Sequence, residues 1–359
     1  MVTPRHQWQP TCPPPHRLVP PVRLDPSGAA GPTRGQARGR RWRRTAQGWY
    51  VPASVDGTLP EPRILEQAVR LPAGGAVTGW AGCRLWGGAF FDGRAPDGQT
   101  LVPVPLVVGG GNVRGDSAVR VMRDRLVPDE VVVRFGVPTT RVLRSLFDAM
   151  RTSDSLREAV VAMDMMAAAE RVSVRRMVDY LRSRTGWRGA PLAAEALRWA
   201  SEDSRSPNET RMRLVWRLDA ALPAPLVNRP VFDRRGRLLG IVDLLDPAAG
   251  LVGEFDGADH RGARRHSDDV AREDVLRRHG LEVFRVTGPD LARPVRVARR
   301  MIEARNRSRW ETEVDRRWTD EPPPWWEKSP TLDEVLDRRD TMVALHALGD
   351  ARSAPGREA

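Results

Sequence analysis

Cysteine is nearly absent: Cys12 and Cys83 are the two in 359 residues, and no Cys-x-x-Cys or Cys/His spacing accompanies them. That leaves no material for a disulfide framework, a thiolate zinc site or a thioredoxin-like motif. Long apolar runs are missing too. No stretch approaches the ~18 consecutive apolar residues of a membrane-spanning helix, and the early segment QPTCPPP is not the apolar core of a secretory signal. An integral membrane protein is thereby excluded, and a reducing cytoplasm is the expected location. Lysine is the third scarcity. Lys328 is the one lysine among 58 basic residues, so the positive charge is arginine, whose planar fork suits phosphates and base edges. A GC-rich genome explains such a composition without function, which leaves the placement of each arginine as the informative quantity.

The net charge of +12 is unevenly spread. Residues 1–50 carry nine arginines against one acid, Asp25, leaving only +4 for the rest of the chain. Residues 1–48 also hold nine prolines in the first 32 positions and show no apolar periodicity, the composition of a disordered basic arm. Its cluster Arg40, Arg41, Arg43 and Arg44 is the part offered to nucleic-acid phosphates. Residues 49–138, with short apolar runs punctuated by Gly and Pro, are expected to form a small mixed α/β domain. Residues 139–202 place apolar side chains three and four apart and read as a helical connector. Residues 303–359 read as a polar tail with one amphipathic helix, TLDEVLDRRDTMVALHAL.

Residues 203–302 are the most informative. Ser206, Pro207 and Glu209 match the N-cap, N1 and N3 positions of a capping box, and Met212, Leu214, Val215 and Leu218 supply a buried stripe. VFDRRGRLLGIVDLLD and GLVGEFDG, separated by RRGR and PAAG, form the pattern of a three-stranded antiparallel meander. DDVAREDVLRRHG follows as a helix closed by Gly280 at C′, and LEVFRVT as a strand. The order is α, three β, α, β, and the fold class is α/β (α+β overall).

If Asp246 and Leu251 close the turn around PAAG, paired residue numbers sum to about 497, by the alternation of a ladder, and Asp243 faces Glu254. Like charges facing across strands are destabilising unless a cation lies between them. Oxygen-only ligands favour Mg²⁺ or Mn²⁺. The alternative is a solvated strand face with a salt bridge to an arginine. Asp256 extends the acidic face, although its Asp-Gly step equally suits a turn. His260 is either a loop bystander or a proton-transfer group. Glu209 is explained by capping or joins the metal site, and Arg272 either pairs with Asp269 or contacts phosphate.

The series SPNETRMRLVW, NRPVFDRRGRLLGIVDLLD, GEFDGADH, DVAREDVLRRHG and VFRVT resembles a domain-of-unknown-function family related to very-short-patch-repair endonucleases, within the PD-(D/E)XK nuclease superfamily, over about residues 205–300. The preceding region, including VTGWAGCRLWGG and FGVPTTRVLRSLFDAM, is similar to the segment found before this domain in many actinobacterial proteins described as resembling abortive-infection type IV antitoxins. Their usual N-terminal winged helix is not recognisable here. The resemblance implies a restriction-endonuclease-like α-βββ-α-β core, with Asp243 and Glu254 as metal-binding acids, Glu209 as a helix acid and His260 as the histidine after the Asp-Gly step. It also implies Mg²⁺ or Mn²⁺ as cofactor and DNA as partner. Asp256 stands where the superfamily's usual motif has lysine, and relatives of the short-patch-repair type also depart from that lysine and lean on histidine. The expected activity is phosphodiester hydrolysis by a Mg²⁺-dependent DNA endonuclease; the rival expectation is a catalytically silent DNA-binding regulator or antitoxin-like protein.

Overall fold

The computed structural model describes residues 11–15, 18–257 and 272–353. The chain forms two compact units, Met1–Arg198 and Trp199–Ala359, each a mixture of helices and mixed sheets, as the α/β expectation requires.

Unit 1 opens with a three-stranded antiparallel sheet, β1 (Val22–Arg23), β2 (Trp42–Ala46) and β3 (Trp49–Pro52), in the order β1-β3-β2. The disordered arm expected to reach residue 48 is thus corrected over its described part. Gly48, at φ 75°, closes the hairpin. Trp42, Trp49, Tyr50 and Val51 provide β-prone side chains, with Val51 fully buried, and these outweigh the arginines between them. After α1 (Pro60–Ala68), a five-stranded sheet of order β6-β5-β4-β8-β7 collects β4 (Ala76–Val77), β5 (Val104–Val107), β6 (Val119–Met122), β7 (Val131–Arg134) and β8 (Val137–Thr140), with α2 (Gly79–Leu85) between β4 and β5. The helices α3 (Val142–Arg151), α4 (Leu156–Ala168), α5 (Val174–Arg182) and α6 (Ala190–Trp199) follow. The first of these packs directly on α2, so the helical region is part of this unit's body rather than a connector.

A buried polar network ties that body together. Asp148 of α3 accepts from Arg144 Nε at 2.9 Å, Arg151 Nε at 2.7 Å and the Thr78 hydroxyl at 2.6 Å. Glu130 accepts from Arg144, Arg184 and the Tyr180 hydroxyl, and Arg151 reaches Asp124 at 2.6 Å. Trp187 lies under the Arg144 guanidinium at 4.5 Å.

Unit 2 begins with α7 (Pro207–Leu214), which widens into a π turn over Val215–Asp219. The extra residue in that turn advances the helix face, so Trp216 is fully buried while Leu218, expected in the buried stripe, is half-buried. Then come β9 (Leu226–Asp233), β10 (Leu238–Asp246), β11 (Leu251–Asp256), the helix α8 over 272–278, β12 (Glu282–Thr287), α9 (Gly288–Leu291), α10 (Pro294–Arg307), β13 (Trp318–Thr319) and α11 (Leu332–Ser353). The sheet order is β12-β11-β10-β9-β13, antiparallel except for the β11/β12 pair. Gly280 follows α8 at φ 96°, as expected of a C′ glycine.

One core lies between the sheet and the α7/α10 layer, where Trp216 stacks on Phe284 beside Met212, Leu244, Val286 and Met301. A second contains Leu239, Leu245, Val252 and Leu276 of α8. The region after 303 is more than a polar tail. Trp318 is 1% exposed and pairs with Asp233 on β9's outer edge, and Trp326 packs edge-on against Phe232 at 5.1 Å. At the opposite edge, the β12 carbonyls of Val283 and Arg285 accept hydrogen bonds from Arg277 and Arg300.

Candidate metal and nucleic-acid site

The PAAG turn sets the geometry of the site. Asp246 accepts from the Ala248 and Ala249 amides and pairs with Arg305 at 2.8 Å, so this buried acid is fully explained by the turn. From it the ladder runs Asp246↔Leu251, Leu245↔Val252, Leu244↔Gly253, the expected register. There the two strands part. Upstream of Leu244, β10 continues on β9 (Val242↔Arg229, Ile241↔Pro230), whereas β11 beyond Gly253 continues on β12 (Glu254↔Arg285, Phe255↔Val286, Asp256↔Thr287). Where the main-chain ladder ends, a side chain replaces it: the Phe255 N–H donates to Asp243 Oδ2 at 2.7 Å. Asp243 and Glu254 therefore flank a fork in the sheet, 4% and 6% exposed.

Glycines make the fork possible. A Cβ at Gly253 would lie 2.8 Å from the Phe284 ring on the adjacent strand. At Gly240 it would lie 3.2 Å from Cδ of Arg272, whose side chain crosses β10 there. Arg272 ends on Glu254, Nη2 to Oε2 at 2.7 Å, so a salt bridge does form at one of the two acids.

Glu209 arrives from α7. The forward half of its capping box is present, since Ser206 Oγ accepts from the Glu209 N–H. The return bond is displaced: Glu209 Oε2 accepts from the Arg205 amide and from Asn228 Nδ2, each at 2.9 Å. Capping therefore explains Glu209 only in part. Burial, then the negative charges of Glu254 and Glu209, push the Asp243 carboxyl well above the usual carboxylate range, against the Phe255 N–H bond and the Arg272 charge. Acids from α7, β10 and β11 thus act on one another at the fork.

Not all the expected residues join them. Asp256 ends β11 opposite Thr287, half-buried. His260 and the Asp269 partner considered for Arg272 lie outside the described residues. In the basic segment Arg40, Arg41 and Arg44 are exposed, but Arg43 pairs with Glu66 at 2.6 Å and bonds the Val55 carbonyl. Among the described residues no group of three or more His, Cys, Asp or Glu forms a cation-ready cage. Asn228, which donates to Glu209 Oε2, carries no sequence signal beyond asparagine's tolerance of left-handed backbone. No helix among the described residues is long and apolar enough to cross a membrane.

No protein family, curated protein or solved structure matches this chain.

Proposed function

We propose that this chain is a divalent-metal-dependent phosphodiester hydrolase acting on DNA, with Asp243 and Glu254 as the acids that hold the metal. The observation supporting this reading is the fork itself, where Asp243 is pushed toward its protonated form by its burial first and by the charges of Glu254 and Glu209 next. Buried acids that are purely structural collect cations and amides in matching number, as Asp246 does. The donor set is all oxygen, which fits Mg²⁺ or Mn²⁺. Such an ion, when bound, polarises a phosphate and lowers the pKa of a water. Phe255 N–H fixes one Asp243 oxygen, leaving the other for the ion. Glu209 adds negative charge at the same place, and Arg272 neutralises Glu254 until a phosphate competes for its guanidinium. The resemblance over residues 205–300 points the same way.

A second reading is favoured by one observation. The Arg272 guanidinium already pairs with Glu254, as it would in a nuclease-like fold that grips DNA without cutting it and works as a regulator. Incubation with supercoiled and linear DNA in Mg²⁺, Mn²⁺ or chelator separates the two. Cleavage that requires the metal supports the hydrolase; salt-sensitive binding without cleavage in any condition supports the silent binder.

A further inference from the structure

Asn228 stands out within β9. Its φ is 47°, the left-handed region that non-glycine residues enter at a cost, and it does so inside a strand. By the β9/β10 register, Val227 faces Leu244 and Arg229 faces Val242, so Asn228 is the residue that counts opposite Asp243. Its amide nitrogen donates to the Asp203 carbonyl at 2.7 Å and to Glu209 Oε2 at 2.9 Å. Both partners are acceptors, which fixes which end of the amide is nitrogen. The amide oxygen, Oδ1, is buried and accepts no hydrogen bond among the described residues. The left-handed backbone and the unpaired acceptor thus fall on one residue, opposite Asp243 by register and bonded to Glu209.

We infer that Asn228 is the positioning residue of the acid cluster: its left-handed backbone turns the carboxamide across the start of α7, holding Glu209 against Asp243 and leaving a neutral oxygen beside the carboxylates to accept from a cation's water. The inference rests on the hydrolase reading for its purpose, but the positioning step is independent of any metal. Asn228→Gly tests it, because glycine keeps φ 47° without strain while deleting the amide. Asn228→Leu is the second background, close in shape, uncharged and unable to donate to Glu209.

The measurement is the apparent melting temperature of the full chain at pH 8. In chelator, Glu209→Gln relieves repulsion with Asp243 and raises the midpoint of the parent by about 2–4 °C, the shift expected for ~1 kcal/mol in a unit this size. In the Asn228→Gly and Asn228→Leu backgrounds the same substitution raises it by half of that or less, because the unheld carboxylate has already swung away. Equal gains in all three backgrounds, or no gain in the parent, overturn the positioning role. The metal arm is read separately. A Mn²⁺-induced rise in the parent that Asn228→Gly abolishes extends the role to the loaded site, whereas a rise that survives the substitution overturns the part assigned to Oδ1. The parent failing to respond to Mn²⁺ removes the hydrolase reading and, with it, the part assigned to Oδ1; the chelator cycle still decides the positioning.

Discussion

The two units each bury a cluster of charged side chains, and the clusters are built on opposite principles. Around Asp148 the signs are matched: Arg144, Arg151 and Arg184 meet Asp148, Glu130 and Asp124 through short hydrogen bonds. At the sheet fork the acids of α7, β10 and β11 crowd together, and Arg272 touches one of them. Their responses to protons differ in sign. Burial alone would raise Glu130, but the Arg184 bond, the Arg144 charge and the Tyr180 hydroxyl lower it. It therefore contributes stability above its ordinary 4.5 that is lost as pH falls through the lowered value. Asp243 is raised above its ordinary 3.8, so the native state keeps a proton that the unfolded chain releases. It costs stability increasingly as pH climbs through that window. A balanced cluster is a structural joint; on the proposed reading, the unbalanced one is the place where a cation would bind.

The largest expected effect breaks the balanced cluster. Arg144→Met strands Asp148 and Glu130 without their shared cation and should cost about 3–5 kcal/mol, read from denaturant unfolding of the first unit; a loss below ~1 kcal/mol would erase the contrast. Gly253→Ala comes next. Its methyl meets the Phe284 ring, and overpacking of this kind costs ~1–3 kcal/mol while prising the fork apart, so a fully stable variant would show that the ring has room to move. Asp243→Asn should do the reverse of Arg144→Met. In chelator at neutral pH its melting temperature equals or exceeds the parent's, the gain vanishes on acidification toward 3.8, and any Mn²⁺-induced rise is lost. Destabilisation in chelator would class the fork with the balanced network. The smallest effect belongs to the exposed arginines. Replacing Arg40, Arg41 and Arg44 with alanine should leave the melting curve within experimental scatter while flattening the salt dependence of DNA affinity, and Arg43→Ala should be the member of that segment that loses stability.

The meander and its register were legible because the PAAG turn fixes the ladder count and period-two alternation carries that count to Asp243 and Glu254. The fork was not, because nothing in LGIVDLL marks where β10 leaves β11; that depends on the Phe284 ring over Gly253, a residue thirty-one positions away. The arginine-rich hairpin was misread by composition. Its charges point outward or fold onto Glu66, and the alternation in GWYV with the Gly48 turn was the better signal. Arg144 and Asp148, four apart on a helix, have the spacing of an ordinary surface pair, and only the packing of α3 on α2 encloses them. The tail was misjudged for a similar reason, since one indole, Trp318, anchors a stretch otherwise composed of charges.

The edges of the second unit's sheet carry a consequence for assembly. A strand with open carbonyls and amides is a template for another chain's backbone, and proteins that leave one bare risk polymerising through it. Here Trp318 and Thr319 cover Asp233 and Phe232 at one end of β9, and guanidinium groups from Arg277 and Arg300 occupy the Val283 and Arg285 carbonyls of β12. Strand addition at these places would have to displace those groups, and removal of the segment around Trp318 is expected to expose more of the β9 edge to the backbone of a second chain.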